Sequence, residues 1–476
     1  MKVENLFSAA AQRNQTLSDM LSSGGTVRDL FSAQEAILRK NQSVTPMQSP
    51  EDFLEVCRSY LRERMGAEAE RALPVLQTGV LHTADHHGGL YSPQSFQGDL
   101  LLGAFLRHMG DCSGFIPVFS FSQVPLGNAT HARGILCFPD MRGACDIPLY
   151  GRKQDNQMVF CTRGYDAERI QWASDRAREC LPEGRTRETV LRLLREVYDS
   201  PAARNRERYA DQVFFLGLEL SRRLFAAQSQ LLYIEAEEIL RNLLPLDLSN
   251  PESLLYRVVT EGSIRRAMNE TPLENNVPVS AGLFCAADRK GRLIRLNLDA
   301  DGVLRGRDLR GAEIEFPANP ERLSGEIAQR HLIPTGPTAA LTLGWARGLT
   351  WFGGVFQSQY LTEWRRAFAE TLERAGFPSL SEAVRPWDCS GYLSGPVFVL
   401  SPVEGGAVHA GPVEFLSCPE RAWRLAADWT NLSLRDGHIM GMFEFYHDLV
   451  PPNERQEGWY GEIAAYVGTR FAERVL

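Results

Sequence analysis

The densest group of chemically active residues is a short segment that holds three of the nine histidines of the chain. It reads His82-Thr83-Ala84-Asp85-His86-His87-Gly88-Gly89-Leu90-Tyr91. Imidazoles transfer protons near neutral pH, and a carboxylate beside them can orient a ring or bind an amine. The paired glycines allow a sharp turn and a close approach to a ligand. The expected catalytic residues are Asp85, His86 and His87, and the expected substrate contacts are His82, Thr83, Gly88, Gly89 and Tyr91. The structural alternative is a polar turn that caps a helix.

The same three residues, Asp85, His86 and His87, are also candidate ligands for a divalent metal, zinc or manganese. The tripeptide resembles the motif for which a family of phosphoesterases is named, where it follows a strand and helps bind manganese. That family also has an upstream Asp-x-Asp and a later Gly-Gly-Gly-His, and the corresponding parts of this chain lack both. Metal-assisted hydrolysis therefore stays open as an alternative to metal-free acid–base chemistry.

Two further segments carry side chains that can hold a polar substrate. Asn128, His131 and Arg133 follow an apolar run, and together such residues can bind a carboxylate or a phosphate. Gly353-Gly354 stands where a strand meets a helix, a junction that can present backbone N–H groups to an anion. Gln357 and Tyr360 follow and add neutral hydrogen-bonding groups. We expect all seven residues to contact substrate, although a solvated loop and close packing are the alternatives.

Weaker candidates stand near the end of the chain. Asp436, His438, Glu444 and His447 could form an acid–base or metal-binding set, on a segment whose weak alternation over 438–445 predicts a strand. The chain has no G-x-S-x-G, no Walker A loop and no G-x-G-x-x-G. Those absences disfavour a serine hydrolase, a P-loop ATPase and an ordinary NAD dehydrogenase.

The elements that must position these residues follow a strand–loop–helix–strand order. Apolar runs at 76–81, 116–121 and 134–138 predict strands, and a helical pattern covers 98–109. Because the runs are continuous and do not alternate, they favour strands buried on both faces of a mainly parallel sheet. Ligands of such sheets bind at the carboxyl ends of the strands, where the histidine segment lies. The sequence therefore predicts an α/β fold with its site at that edge.

Four regions are expected along the chain. Residues 1–75 form a helical N-terminal segment, 76–165 the first α/β half with the histidine site, 166–250 a helical insertion, and 251–476 the second α/β half. Within them, 230–240 is interpreted as a strand that runs into a helix or as one continuous helix. Residues 281–286 and 293–296 flank a glycine turn and predict a hairpin, and 395–400 predicts a strand.

Net charge, apolar runs and cysteine spacing limit the binding partners and the cellular location that we expect. The chain has 476 residues and a net charge of −8, so it offers no evident basic surface for nucleic acid. It contains no apolar run long enough to predict a transmembrane helix, and its start lacks the apolar region of a secretory signal. Nine cysteines without a C-x-x-C favour reduced thiols. We expect a cytoplasmic, bacterial protein with a small-molecule substrate and no nucleic-acid or membrane partner. The sequence leaves open whether the chain forms a homo-oligomer.

The order of these segments resembles that of the bacillithiol-biosynthesis cysteine-adding enzymes. That family has a strand, a Thr-Gly-Gln-Gln-x-Gly-Leu turn, a helix and a Pro-Val-Phe strand. Here the turn is 83–90 and the later strand begins Ile116-Pro117-Val118-Phe119. Gly353-Gly354 with Tyr360 is similar to a late segment of the family. Asp85 and His86 replace the two glutamines, and no long coiled coil is evident. The resemblance implies a Rossmann-like body with a pocket at the end of the first strand.

Together these patterns predict an enzyme that acts on a small polar metabolite by group transfer or amide-type ligation. His86 or His87 would be the general acid–base, and Asp85 would orient an imidazole or bind a substrate amine. Arg133 and the Gly353-Gly354 junction would hold an anionic group. A metal-dependent hydrolase and a non-catalytic metabolite-binding protein are the alternatives.

Overall fold

A sheet of five parallel strands lies at the centre of the computed structural model, which describes residues 3–83, 85–128, 133–138, 144–225, 229–273, 276–428 and 430–476. The strands are β1 (Val80–His82), β2 (Phe115–Ser120), β3 (Gly134–Cys137), β4 (Cys145–Pro148), β5 (Gln230–Glu235), β6 (Ala281–Ala287), β7 (Leu293–Leu298), β8 (Val303–Arg307), β9 (Glu313–Pro317), β10 (Ile333–Pro334), β11 (Thr350–Gly354), β12 (Tyr392–Ser394), β13 (Leu400–Val403) and β14 (Gly406–His409). The order across the central sheet is β12-β11-β1-β2-β5. Every residue of β1 and β2 is buried, as expected for continuous apolar runs covered on both faces.

Helices make up most of the remaining regular structure. They are α1 (Val3–Ala11), α2 (Gln15–Ser22), α3 (Val27–Gln42), α4 (Glu51–Met65), α5 (Ala69–Gln77), α6 (Pro93–His108), α7 (Ala167–Cys180), α8 (Arg185–Leu193), α9 (Pro201–Arg204), α10 (Tyr209–Leu224), α11 (Ala236–Ser249), α12 (Leu254–Thr260), α13 (Gly262–Glu270), α14 (Pro320–Ala328), α15 (Gly336–Ala339), α16 (Val355–Arg374), α17 (Pro378–Val384), α18 (Pro412–Ser417), α19 (Pro419–Ala427), α20 (Leu434–Met440), α21 (Met442–Leu449) and α22 (Trp459–Arg470). Shorter 3-10 or π turns occupy Gly66–Glu68, Arg152–Gln154, Val159–Cys161, Leu194–Tyr198, Ala340–Trp345 and Ala472–Arg474.

Local sequence signals explain several of these boundaries. Thr26 and Asp29 form a reciprocal capping box at the start of α3. Glu51 and Asp52 open α4 directly after Pro50, and acidic side chains in the first turn stabilise the start of a helix. Gln230–Glu235 is a strand that passes directly into α11, so the first of the two interpretations of 230–240 is confirmed. The hairpin of β6 and β7 is also confirmed.

Four predicted strands differ in the structure. Only the end of the 76–81 run is a strand, because α5 continues to Gln77. The 134–138 run forms β3, which pairs antiparallel with β4 and lies outside the central sheet. Residues 395–399 are irregular and join β12 to β13. The 438–445 prediction is wrong, since that segment lies in α20 and α21, which meet at Gly441.

The mixed α/β class with a parallel sheet is confirmed, but the sheets do not follow the four regions of the chain. Strand β5 belongs to the central sheet although it lies within the predicted helical insertion. The second five-stranded sheet, with the order β10-β6-β7-β8-β9, is antiparallel and lies within 251–476. The four region boundaries stay a prediction. In the described part of the chain, no helix is long and apolar enough to cross a bilayer.

Candidate active site

A cavity of about 720 Å³ opens at the carboxyl edge of the central sheet. The chain runs from β1 to β2 and β5 on one side, and β11 and β12 lie on the other, so the direction of winding reverses between β1 and β11. The cavity is lined by residues that follow or end four of these strands: His86, Asn128, Gly354 and Ser394. In open parallel sheets this reversal leaves a crevice in which ligands bind.

Helices and a hairpin complete the wall of the cavity. The other described lining residues are Ser92, Pro93, Gln94 and Ser95 at the start of α6, Gly127 beside Asn128, Leu136, Phe138 and Ala144 in and next to the β3–β4 hairpin, Val355 and Phe356 of α16, His409 of β14, Phe443, Glu444, Phe445, His447 and Asp448 of α21, and Trp459 and Tyr460 of α22. Among them are two acids and three histidines with His86 included, but neither lysine nor arginine. The described wall is therefore aromatic and acidic.

Asp85 lies just behind this wall, with 1% of its surface exposed. Its Oδ1 accepts a hydrogen bond from the backbone N of His86 at 2.7 Å. Burial raises the pKa of Asp85 well above its ordinary value, and the neighbouring charges of Asp99 and Glu444 raise it further. The bond from His86 and the hydroxyl of Ser95 act in the opposite direction. Burial thus favours the uncharged form of Asp85, and its carboxyl, which we expected to be catalytic, is not part of the described wall.

His82 forms a buried pair with Asp99 behind Asp85. Nδ1 of His82 lies 2.7 Å from the carbonyl oxygen of Phe352, which can only accept, so Nδ1 carries a proton. Nε2 lies 3.2 Å from Oδ1 of Asp99. Both residues are completely buried. His82 thus joins β1 to α6 and β11 and does not contact the cavity, although we expected a substrate contact.

The two adjacent histidines have different surroundings. His86 lines the cavity, and burial lowers its pKa, while the carboxylate of Asp448 opposes that shift. His87 is completely buried. Its Nε2 donates to the carbonyl of Ala210 at 2.7 Å, and its Nδ1 accepts from the hydroxyl of Ser120 at 2.7 Å. Because both ring nitrogens of His87 are engaged away from the cavity, His86 is the one of these two imidazoles that faces a ligand there.

Helix α21 supplies acidic residues that face His86 and Asp85. Burial raises the pKa of Glu444 to about 8, and the charge of Asp448 adds to this shift. Nδ1 of His447 lies 2.9 Å from Oδ1 of Asp448, and both side chains are about half exposed at the cavity. Glu444, His447 and Asp448 are spaced three and four residues apart, so a helical interpretation would have placed them on one face. The strand prediction for 438–445 did not group these three side chains on one face.

The other members of the weaker C-terminal set lie elsewhere. Asp436 forms an ion pair with Arg470 at 3.0 Å. His438 is buried, and its Nδ1 donates to the carbonyl of Leu434 at 2.6 Å. Burial lowers the pKa of His438 to about 4. The four residues therefore do not form one site, and only Glu444 and His447 reach the cavity.

The Gly353-Gly354 junction ends β11 and begins α16, as the sequence predicts. Nε2 of Gln357 donates to Oγ1 of Thr83 at 2.5 Å, which ties α16 to the segment after β1. A Cβ on Gly353 would lie 1.4 Å from Oε1 of Gln357, so this glycine leaves room for that side chain. Gly354 has open space around it and lines the cavity. Thr83 and Gln357 thus shape the site from behind its wall.

The remaining predicted contacts lie outside the cavity. Arg133 is paired with Asp146 at 2.6 Å and with Asp155 at 2.8 Å, so two carboxylates already balance its charge. Tyr360 is 54% exposed on α16 and is not part of the described wall. Asn128 does line the cavity. His131 lies outside the described residues.

The Gly88-Gly89-Leu90-Tyr91 segment is buried against the protein interior. The ring of Tyr91 stacks with that of Tyr198, with 6.4 Å between the centroids. A Cβ on Gly89 would lie 2.8 Å from the Tyr91 ring and 3.2 Å from the carbonyl of Gly134. Close packing therefore accounts for this glycine and this tyrosine, and neither contacts the cavity.

The described residues hold no group of three or more His, Cys, Asp or Glu side chains placed to bind one metal ion. The Asp85, His86 and His87 side chains in particular do not converge, since His87 is bonded to Ser120 and Ala210. The described wall instead combines aromatic rings with the titratable side chains of His86, Glu444, His447 and Asp448. Comparisons of the chain with protein-family models, with curated proteins and with solved structures found no match.

Proposed function

We propose that this protein is an enzyme that binds a small, polar, amine-bearing metabolite in the cavity and transfers a group to or from its nitrogen. The observation that carries the proposal is the composition of the described wall. Glu444 and Asp448 contribute carboxyl groups, and neither lysine nor arginine is present to attract an anion. Aromatic rings such as Phe443 and Trp459 favour an ammonium group by cation–π attraction. This wall favours an amine over the anionic group that we expected Arg133 to hold.

The acid–base roles follow from opposite shifts of the pKa. The lowered pKa of His86 leaves its imidazole neutral near pH 7, so it can accept the proton that an amine must lose before it attacks. Burial raises the pKa of Asp85, but its carboxyl lies behind the wall, so Asp85 acts on the site through its bond to the backbone N of His86 and not on the ligand. Glu444, with a pKa of about 8, can exchange a proton with an ammonium group directly. His86 and Glu444 therefore offer a base and an acid in one cavity.

The reaction class rests on the resemblance to the cysteine-adding enzymes of bacillithiol biosynthesis. The resemblance implies a pocket beyond the first strand, and the cavity has that position. We therefore propose group transfer or amide-type ligation as the reaction. A Rossmann-like classification of the central sheet and a cytoplasmic, bacterial setting belong to the same proposal. Metal-dependent hydrolysis has less support, because such sites take three or more protein ligands and the described residues offer no such group.

Ligand-dependent thermal stability tests the substrate class. The purified full chain would be heated with small amino compounds, each beside its hydroxyl analogue, for example an amino sugar and the parent sugar. We expect only amino compounds to raise the melting temperature, and Glu444→Gln to weaken their binding at least tenfold. Glu457→Gln, an exposed residue before α22, is the matched control and should bind normally. Stabilisation by anionic compounds alone would overturn the proposed substrate class.

Turnover separates an enzyme from a binding protein that uses the same cavity. Once an amino ligand is known, mass spectrometry of its mixtures with activated acyl or sugar donors would detect a transferred group. We expect His86→Gln to retain ligand binding and lose turnover, because glutamine keeps hydrogen bonds but cannot accept a proton. A ligand that binds tightly yet is never converted by any donor class would favour the non-catalytic alternative.

A further inference from the structure

Two cysteines lie directly opposite each other in the β3–β4 hairpin. Cys137 ends β3 and Cys145 begins β4, and the two residues are paired in the antiparallel register. Neither is part of a disulfide. The thiol of Cys137 donates to the carbonyl oxygen of Cys145 at 3.7 Å, so its sulfur is directed across the hairpin toward its partner. The two thiols are neighbours in space at a defined position of the fold.

The spacing of this pair suits a disulfide. Directly opposite residues of antiparallel strands have Cα atoms about 4.5 or 5.5 Å apart, depending on the type of pair. Disulfides join residues whose Cα atoms are about 4.4–6.8 Å apart. Gly134–Pro148 and Ile135–Ile147 continue the same pairing behind the cysteines, so the strands are already held in register. At this spacing an S–S bond would form by rotation of the two side chains.

The exposure of the two thiols gives them different roles. Cys137 is completely buried, whereas Cys145 is partly exposed. The contact with Cys145 and burial raise the pKa of the Cys137 thiol far above its ordinary value, which makes it a poor nucleophile toward a reagent in solution. Because Cys145 is the more exposed of the two, a reagent from solution reaches it first, and the buried Cys137 meets only the sulfur that lies opposite it in the hairpin.

We propose that Cys145 is a reversible modification site for a low-molecular-weight disulfide and that Cys137 is its resolving partner. The Cys145 sulfur attacks the disulfide, forms a mixed disulfide and releases one small thiol. The Cys137 sulfur then attacks the Cys145 sulfur and releases the second small thiol. Two protein thiols are oxidised to one S–S bond, and one small disulfide is reduced to two thiols that carry away both protons.

This bond would act on the wall of the cavity. Leu136 and Phe138 flank Cys137, Ala144 precedes Cys145, and all three line the cavity. The backbone N of Phe138 donates to Oε1 of Glu414 at 2.8 Å, which anchors the end of β3 to α18. A Cys137–Cys145 bond would attach the start of β4 to this anchored point. The modification therefore couples the thiol–disulfide state of the surroundings to the shape of the ligand site.

Oxidised glutathione is a suitable probe. The native full chain would be treated with it, free thiols blocked, and the unreduced peptides mapped by mass spectrometry. The exposed Cys112 and Cys180 would be replaced by serine in every sample, so that their thiols do not react with glutathione. We expect a Cys137–Cys145 disulfide that dithiothreitol reverses. Cys137→Ala should stop at glutathionylated Cys145, and Cys145→Ser should leave Cys137 as a thiol.

Two results would overturn the proposal. One is a Cys137 that reacts with glutathione in the Cys145→Ser chain, because Cys145 would then not be the entry point. The other is a chain that forms no Cys137–Cys145 bond although denatured controls become fully oxidised under the same conditions. This second result is read from the chain that keeps both Cys137 and Cys145. A folding defect of the Cys137→Ala variant therefore does not affect it. These outcomes are independent of the amine proposal, since they are read from cysteine chemistry alone.

Discussion

His86 and His87 are adjacent in the chain, yet only His86 lines the cavity, while His87 binds Ser120 and Ala210 in the interior. His86 also pairs as an isolated parallel bridge with Phe121, and the N of His87 donates to the Phe121 carbonyl at 2.9 Å. The segment after β1 thus extends beside the end of β2. Successive side chains of an extended segment point to opposite sides, which separates the two imidazoles.

This separation predicts different effects of two alanine substitutions. His87→Ala removes two buried hydrogen bonds and leaves a void, so it should lower the free energy of unfolding by about 2–4 kcal/mol. His86→Ala should change it by less than about 1 kcal/mol, because the ring faces the cavity. Urea unfolding of both variants beside the unsubstituted chain measures the difference. Equal losses would contradict the placement of the two rings.

Glu444 should make stability fall as the pH rises. Its pKa is about 8 in the folded chain against an ordinary value of 4.5, so the folded state binds more protons between these values. Its contribution to stability is therefore complete below about pH 4.5 and is lost as the pH rises to about 8. Glu444→Gln removes the titration and should stabilise the chain by about 1–4 kcal/mol at pH 8.5 but not at pH 4.

Melting temperatures of the Glu444→Gln and unsubstituted chains across pH 4–9 check this expectation. Asp85, Glu237 and Glu414 also have raised pKa values and contribute to the slope of both chains. The difference between the two curves therefore isolates Glu444. A constant difference across the whole range would show that Glu444 does not titrate as the structure indicates.

The two glycines at the β11–α16 junction offer a matched pair of substitutions. Gly353→Ala places a methyl group onto Gln357, which must turn away and lose its bond to Thr83. Gly354→Ala meets no atom within 4 Å and adds a methyl group to the cavity wall. We expect Gly353→Ala to cost about 1–3 kcal/mol of stability and Gly354→Ala to cost almost none. Chemical unfolding compares them, and a reversed order would contradict the observed Gln357 conformation.

Arg347 forms a buried ion-pair network that should be essential for stability. Its guanidinium contacts both oxygens of Asp52, at 2.8 and 2.7 Å, and both oxygens of Asp247, at 3.0 and 2.5 Å. Arg347→Met would leave Asp247 buried without its cation and should cost about 3–5 kcal/mol. The exposed Arg305 network provides the control, since Arg305→Ala should change unfolding little. A mild loss for Arg347→Met would show that Asp247 finds solvent or another partner.

Local patterns predicted much of the framework that carries the site. The helix at 98–109, the strand at 116–121, the strand-to-helix passage at 230–240 and the glycine junction at 353–354 all correspond to elements of the structure. Each depends on side-chain period, turn residues and neighbours within a few positions. Neighbours along the chain also predicted that polar residues follow the strands at one edge of the sheet. His86 and Asn128 follow β1 and β2 and line the cavity.

Only the tertiary structure decided which side chains meet in the cavity. Glu444 lies far from His86 in the chain, and its segment has too weak a pattern to distinguish a strand from a helix, so neither its element nor its neighbours were predictable. Arg133 carries the residue type of an anion-binding group, but Asp146 and Asp155 neutralise it. Residue types and local periodicity determine the available elements and chemistry, whereas burial and long-range packing determine which groups remain exposed to a ligand.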